Sequence, residues 1–247
     1  MCGIIGIIGK AAATPLLLDG LKRLEYRGYD SAGIATLVDG GIDRRRAEGK
    51  IANLEKLIDG DPLAGNIGIG HTRWTTHGEP NDQNAHPHTG NSGRLALVHN
   101  GIIENYAVLK NALIAEGHSF SSATDTEVLV HLIEEIQNEG NLALEEAVRL
   151  ALARVEGAYA IAVIDRNNPD VLVGARKQSP LVVGIGEGEY FIGSDASPFL
   201  DSTNRVVYLE DNHIATISMA KGLQIKNSDT ETQPTFTHTT DLQIHYS

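Results

Sequence analysis

Thiols are nearly missing from this chain: Cys2 is the one cysteine among 247 residues. No internal disulfide can form, so a reducing cytoplasm is the natural home. Aromatic residues are scarce as well, at 5%, so aliphatic side chains and alanine must fill most of the core. Long apolar runs are absent. The opening MCGIIGIIGK has no basic n-region and no A-x-A cleavage site, and its uncharged stretch before Lys10 falls far short of the ~20 residues that span a bilayer. Basic residues are outnumbered by acidic ones, 20 against 32, for a net charge of −12. Such a surface repels phosphate backbones and anionic headgroups, so nucleic acid and membrane are poor partners. The run Arg44-Arg45-Arg46 goes against this trend, and it reads as the solvated face of a strand.

What is present has the ordinary apolar and charged fractions of a globular protein, 41% and 21%, in a length that suits one large domain. Residues 2–9 read as a buried, β-branched strand. Thr14-Pro15 reads as a helix start, with Leu17, Leu21 and Leu24 on one face and Gly28 as the stop. Alternation predicts strands over 32–38 and 42–48 joined by Asp39-Gly40-Gly41, then a short helix near 50–58 and a strand over 67–73. Residues 74–93 form a long polar loop, a length that compact domains reserve for binding or covering something. A strand over 94–99 ends at Asn100-Gly101. Helices follow near 104–116, 125–138 and 142–155, the second opened by a capping box from Thr124 to Glu127. After Gly157 the pattern turns to seven short strands, the last over 222–226. Strands on either side of a helical block fit an α+β arrangement of two mostly antiparallel sheets packed face to face, helices outside. No glycine fingerprint joins a strand to a helix, and Gly184-Ile185-Gly186-Glu187-Gly188 sits between two strands as a hairpin turn. Residues 1–226 form the domain, and 227–247 read as a polar tail or linker.

A lone cysteine is usually a small buried hydrophobe. Position two gives it another reading. Removal of Met1 is favoured by the small residues that follow, and it would leave a thiol and a free α-amine on one residue. The amine, with a pKa of about 7.7–8.0, can take the proton of a thiol near about 8.5. That is a nucleophile carrying its own base. Asn100-Gly101 reads either as a hairpin turn or as a pair of hydrogen-bond donors. His71, His77, His86, His88 and His99 invite a metal reading, but acidic or thiol ligands at metal spacing do not accompany them, so loop hydrogen bonding is preferred and no metal is assigned.

Six stretches occur in one order: MCGIIG, LEYRGYDSAG (24–33), GHTRWTTHGEP (70–80), NAHPH (84–88), VHNGIIEN (98–105) and TDTEV (124–128). This string resembles the glutaminase domain of the glutamine–fructose-6-phosphate aminotransferases, class II amidotransferases with an N-terminal nucleophile, over about residues 1–226. The related amidophosphoribosyltransferases typically carry histidine–arginine–glycine–glutamine where this chain has Tyr26-Arg27-Gly28-Tyr29. The resemblance implies a four-layer αββα sandwich, the N-terminal nucleophile hydrolase fold. It implies that Cys2 attacks the side-chain amide of L-glutamine, with Asn100 and the Gly101 N–H as oxyanion donors. Arg73 would pair with the substrate α-carboxylate and Asp125 with its α-ammonium, although an aspartate there also complements the helix dipole. Thr76 and His77 would line the same loop, Trp74 would close over the substrate, and Arg27 would lie beside the nucleophile. Thr75 departs from the alanine common in the family. No cofactor is implied. The ammonia would pass to a sugar-isomerase half, so the chain is expected to be either a piece of a longer synthase or a subunit feeding a separate partner. The rival readings are an amidotransferase serving another acceptor and a silent glutamine-binding module.

Overall fold

The computed structural model describes residues 1–74, 78–229 and 240–241. The strands are β1 (Gly3–Gly9), β2 (Ser31–Val38), β3 (Gly41–Glu48), β4 (Ile67–Arg73), β5 (His88–Thr89), β6 (Leu95–Ile103), β7 (Gly157–Asp165), β8 (Val171–Lys177), β9 (Val182–Ile185), β10 (Glu189–Gly193), β11 (Arg205–Tyr208), β12 (His213–Ser218), β13 (Gly222–Asn227) and β14 (Thr240–Asp241). The helices are α1 (Ala13–Leu24), α2 (Ile51–Gly60), α3 (Tyr106–Ala115), α4 (Thr126–Gly140) and α5 (Leu144–Leu152). They form an eight-stranded sheet in the order β14-β11-β9-β10-β1-β4-β2-β3 and a six-stranded sheet in the order β13-β12-β8-β7-β6-β5. Every ladder between these strands is antiparallel.

The layering follows from strand alternation. On β1, Ile4 and Ile8 enter the core between the sheets, whereas Ile5 and Ile7 face the Leu17–Leu21–Leu24 stripe of α1 and Ile51 and Leu54 of α2. On β6 and β7 the same alternation sends Ala96, Val98, Ala160 and Ala162 between the sheets. Leu97, Ile161 and Val163 go outward against Leu129, Leu132 and Ile133 of α4 and Val148 of α5. The result is the αββα sandwich. Small residues on β6 and β7 opposite isoleucines on β1 and β4 explain how a core so poor in aromatics closes. None of the helices is long and apolar enough to cross a membrane among the described residues.

Several local expectations are corrected. Helix α1 starts at Ala13 with Ala12 as its cap, and the Thr14 hydroxyl instead donates to the Leu63 carbonyl at 3.2 Å. Gly28 is no left-handed stop, since its φ is −172°. Its value is closeness: a Cβ there would lie 2.6 Å from the Arg73 carbonyl oxygen. Thr124 and Glu127 form no capping box. The Glu127 carboxylate accepts the Ser121 and Ser122 N–H groups at 2.8 and 2.7 Å, while the Thr124 hydroxyl meets His88 Nε2 at 2.9 Å. Asn100 and Gly101 do not end a strand; they sit inside β6, opposite Ala160 and Tyr159. The arginine run is no solvated face. Arg44 donates to the Pro87 carbonyl at 3.1 Å and Arg46 to the Gln83 and Ala85 carbonyls at 3.1 and 2.9 Å, which fastens the long polar loop onto β3. Burial pushes Arg46 down to about 10 and lowers Arg44 as well.

That loop carries His86 and His88 inward toward His71 and His99, and all four are buried. The His71 and His86 rings stack at 4.1 Å between centroids and 17° between planes. Burial, reinforced by neighbouring cationic groups, holds His71 down to about 3 and His86 and His88 well below the usual imidazole range. These rings are neutral in the folded chain and protonate near about 6.5 once unfolded. Below that pH the unfolded chain binds protons the folded chain does not, so stability present above pH ~6.5 is lost as pH falls, by up to about 1.4 kcal/mol per unit for each ring. Urea unfolding should therefore show roughly 1 kcal/mol lost for each of His71, His86 and His88 between pH 7 and 5.5, before the carboxylates titrate. A flat stability over that interval would show that the rings are charged or hydrated in the fold.

Candidate active site

Three chain segments meet at one end of the sandwich. Strand β1 pairs with β4 so that Gly3 lies opposite Thr72, and this sets Cys2 beside Trp74. The Cys2 sulfur accepts the Trp74 N–H at 3.1 Å and faces the Trp74 carbonyl at 3.4 Å. From the other sheet, β6 brings Asn100 across, and its Nδ2 donates to the Cys2 carbonyl at 3.0 Å. The other end of that amide is fixed by His71, whose Nε2 lies 2.9 Å from Asn100 Oδ1 and 3.1 Å from the His99 carbonyl. Both partners are acceptors, so His71 carries its proton on Nε2 and donates it. The amide thus turns its oxygen to His71 and its donor side to Cys2.

Gly101 is next, with a φ of +125° and a carbonyl so near that a Cβ would lie 2.1 Å from the Ala158 oxygen. Only glycine fits this bend. Asp125 stands at the start of α4, almost wholly buried, and its Oδ2 accepts the Ile103 N–H at 2.8 Å, tying the helix to the end of β6. Arg73, at the end of β4, is 3% exposed. Its guanidinium donates to the Gly78 carbonyl at 3.0 Å and lies 3.8 Å from Asp30. Trp74 is about half exposed, 48%, with Tyr29 edge-on at 5.5 Å. Arg27 follows α1 in a short 3₁₀ turn and donates to Asp195 at 2.7 Å, an acceptor it shares with the Tyr26 hydroxyl.

Cys2, Arg27, Arg73, Trp74, Asn100, Gly101 and Asp125 border one cleft of about 340 Å³. That lies within the range of about 300–1,000 Å³ common for small-molecule sites. Thr76 and His77 lie outside the described residues, as does Thr75. Sequence reasoning missed His71 as the orienter of Asn100, Asp195 as the anchor of Arg27, and Ser179 and Pro180 on the cleft wall. Asp195 is held below the usual carboxylate range: burial works against this, but Ser197, Tyr26 and Arg27 outweigh it. None of these has a sequence signal, because each acts through a partner far away in the chain.

Electrostatics around the sulfur do not favour a standing thiolate. Burial raises the Cys2 thiol above its ordinary value, and Asp30 adds to this. The Trp74 N–H, the Met1 ammonium and Arg73 pull the other way without winning. A thiol kept protonated needs a base at hand to become a nucleophile. A cleft bordered by the Arg73 guanidinium and the Asp125 carboxylate, with Arg27 tied to Asp195 at its edge, suits a zwitterionic α-amino acid. The sequence reading assigns no metal. Among the described residues one group with metal-ligand spacing exists, His118, His131 and Glu134, and none of the three borders the cleft.

A family model described as a glutamine amidotransferase domain matches residues 59–241. The glutamine–fructose-6-phosphate aminotransferase of Bacteroides thetaiotaomicron is 55% identical over 226 residues, which cover 91% of this chain and 37% of that protein. The corresponding Chlorobaculum tepidum protein is 57% identical over 222 residues, covering 88% and 36%. The chain therefore spans little more than a third of these curated relatives. Among solved structures, the glutamine phosphoribosylpyrophosphate amidotransferase of B. subtilis superposes with a TM-score of 0.78 at 26% identity, covering 94% of this chain and 50% of that one. With the family match running over most of its length and an amidotransferase among its structural neighbours, the chain belongs to the glutamine amidotransferase domain family.

Proposed function

We propose that this domain hydrolyses L-glutamine to L-glutamate and ammonia, with Cys2 as nucleophile. The observation that carries the reading is the orientation of the Asn100 amide, pinned by His71 so that its N–H₂ faces Cys2 inside a cleft bordered by Arg73 and Asp125. Once Met1 is removed, the α-amine of Cys2 takes the thiol proton as sulfur attacks the side-chain amide carbon. The oxyanion that forms is met by the Asn100 amide and the Gly101 N–H. Collapse breaks the C–N bond, and the proton held by the amine leaves with ammonia. Water then cleaves the glutamyl thioester, which gives glutamate and restores the thiol. Arg73 binds the α-carboxylate and Asp125 the α-ammonium, Trp74 closes the cleft, Thr76 and His77 line it, and Arg27 braces the wall beside the sulfur.

The partner of this reaction is an ammonia acceptor. We assign it to a sugar-isomerase domain or subunit that converts fructose 6-phosphate to glucosamine 6-phosphate, on the strength of relatives named as isomerising aminotransferases, of which the matched stretch is 37% and 36%. Residues 1–226 form the catalytic unit. Residues 227–247 serve as the connecting segment, of which Thr240–Asp241 returns to pair with β11. A free thiol nucleophile suits a reducing cytoplasm.

Two measurements test the chemistry. Cys2→Ala is expected to abolish glutaminase turnover while calorimetry still detects glutamine binding. Turnover surviving in that variant would remove Cys2 from the mechanism. Asn100→Ala is expected to lower kcat by about 10²–10³ with a smaller change in KM, the usual size for one lost oxyanion donor. A rise in KM with kcat intact would make Asn100 a binding residue instead.

A further inference from the structure

On the far side of the six-stranded sheet, the turn after α3 and the second and third turns of α4 bring two imidazoles and a carboxylate together. One ligand-type atom from each of His118, His131 and Glu134 lies within 4.8 Å of the others. All three side chains are at least nine-tenths buried, His118 at 8% exposure, His131 at 0% and Glu134 at 2%. Each imidazole gives its Nε2 to a carboxylate: His118 to Glu135 at 2.7 Å, His131 to Glu127 at 3.3 Å. A carboxylate accepts a proton-bearing nitrogen, so in the neutral ring the lone pair is left on Nδ1. Both Nδ1 atoms are buried and have no hydrogen-bond partner among the described residues. Two buried acceptors without donors are costly if nothing meets them.

We propose that His118, His131 and Glu134 bind a divalent transition-metal ion, Zn²⁺ before others. Two imidazole nitrogens and one carboxylate oxygen are a zinc donor set, with the fourth position left to water, and they are poor ligands for Mg²⁺ or Ca²⁺. Glu135 and Glu127 stand behind the rings as outer-shell carboxylates, which orient metal-bound histidines and raise their basicity. The Glu134 carboxylate is steadied by the Ser92 N–H and hydroxyl. Among the described residues neither Glu134 nor Glu135 forms an ion pair with a lysine or arginine; the partner of Glu135 is His118. Zinc bonds of about 2.0–2.2 Å would draw the three ligands closer than they stand, and His118 is the one of them that lies outside α4. The ion would join that turn to α4. Ser121 and Ser122, which hold Glu127, come three and four residues after His118, and Asp125 of the cleft follows, so metal binding would brace the approach to the active site without entering it.

The test uses the tag-free chain with Cys2→Ser, so that the sulfur cannot compete for metal. Isothermal titration with Zn²⁺ and the visible spectrum with Co²⁺ should show one ion per chain, and zinc should raise the melting temperature. H118Q keeps a polar group near the Nε2 position and deletes Nδ1. It should weaken zinc binding by tenfold or more and abolish the cobalt bands while its far-UV circular dichroism matches the parent. H131Q and E134Q should do the same, and E135Q should weaken binding by about 10-fold, the size expected of an outer-shell partner. No binding by the parent, or binding undiminished in H118Q, overturns the site. If H131Q fails to fold, H118Q alone decides, because its turn carries little of the core.

Discussion

Of the hydrogen bonds that join the two sheets of this protein beside the cleft, the donation from His71 Nε2 to Asn100 Oδ1 is the one that orients the Asn100 amide. His71 belongs to β4 of the larger sheet and Asn100 to β6 of the smaller one, so the bond registers the two halves of the sandwich at the point where Cys2 emerges. It requires that Nε2 carry the ring proton, because both of its partners accept. Nδ1 is left without a partner among the described residues, in a ring fully buried against His86. The tautomer with its proton on Nε2 therefore keeps the Asn100 amide the right way round. Such a bond is worth about 1 kcal/mol net when made and costs about 1–3 kcal/mol when one buried partner is stranded.

The surroundings of that bond are assembled by contacts that are remote in sequence and polar in kind. Arg44 and Arg46 hold the 83–89 loop by its carbonyls, and the loop in turn carries His86 beneath His71. Asp195 holds Arg27, and Asp125 holds the end of β6 through Ile103. The aliphatic layers supply the bulk of the stability, but they would tolerate small shifts that the cleft would not. The polar ties set its geometry, through buried histidines, buried Arg73 and the half-buried Arg44 and Arg46.

The layered fold was legible in the sequence because aliphatic alternation writes it plainly. Ile4, Ile5, Ile7 and Ile8 alternate between two cores, and Leu17, Leu21 and Leu24 mark one helix face. Local capping rules failed where tertiary partners outbid them. Leu63 took the Thr14 hydroxyl, and His88 took that of Thr124. The arginine run looked solvated because its carbonyl partners lie some forty residues away. At the site, Cys2, Arg73, Asn100, Gly101 and Asp125 were legible from motif strings, and the structure gathers them around one cleft. His71 and Asp195 were not, since a positioning residue is defined by its partner, and no pattern along the chain announces a contact between Arg27 and Asp195.

The raised thiol of Cys2 makes the free α-amine the central claim, because without a base close to the sulfur the cleft holds a protonated, weakly nucleophilic cysteine. The most direct measurement compares protein lacking Met1 with protein that retains it, by intact mass, after brief exposure to a glutamine-like electrophile. The account predicts one adduct on Cys2 that forms far faster in the processed chain. Equal labelling rates in the two forms, or an adduct on any other residue, would contradict it.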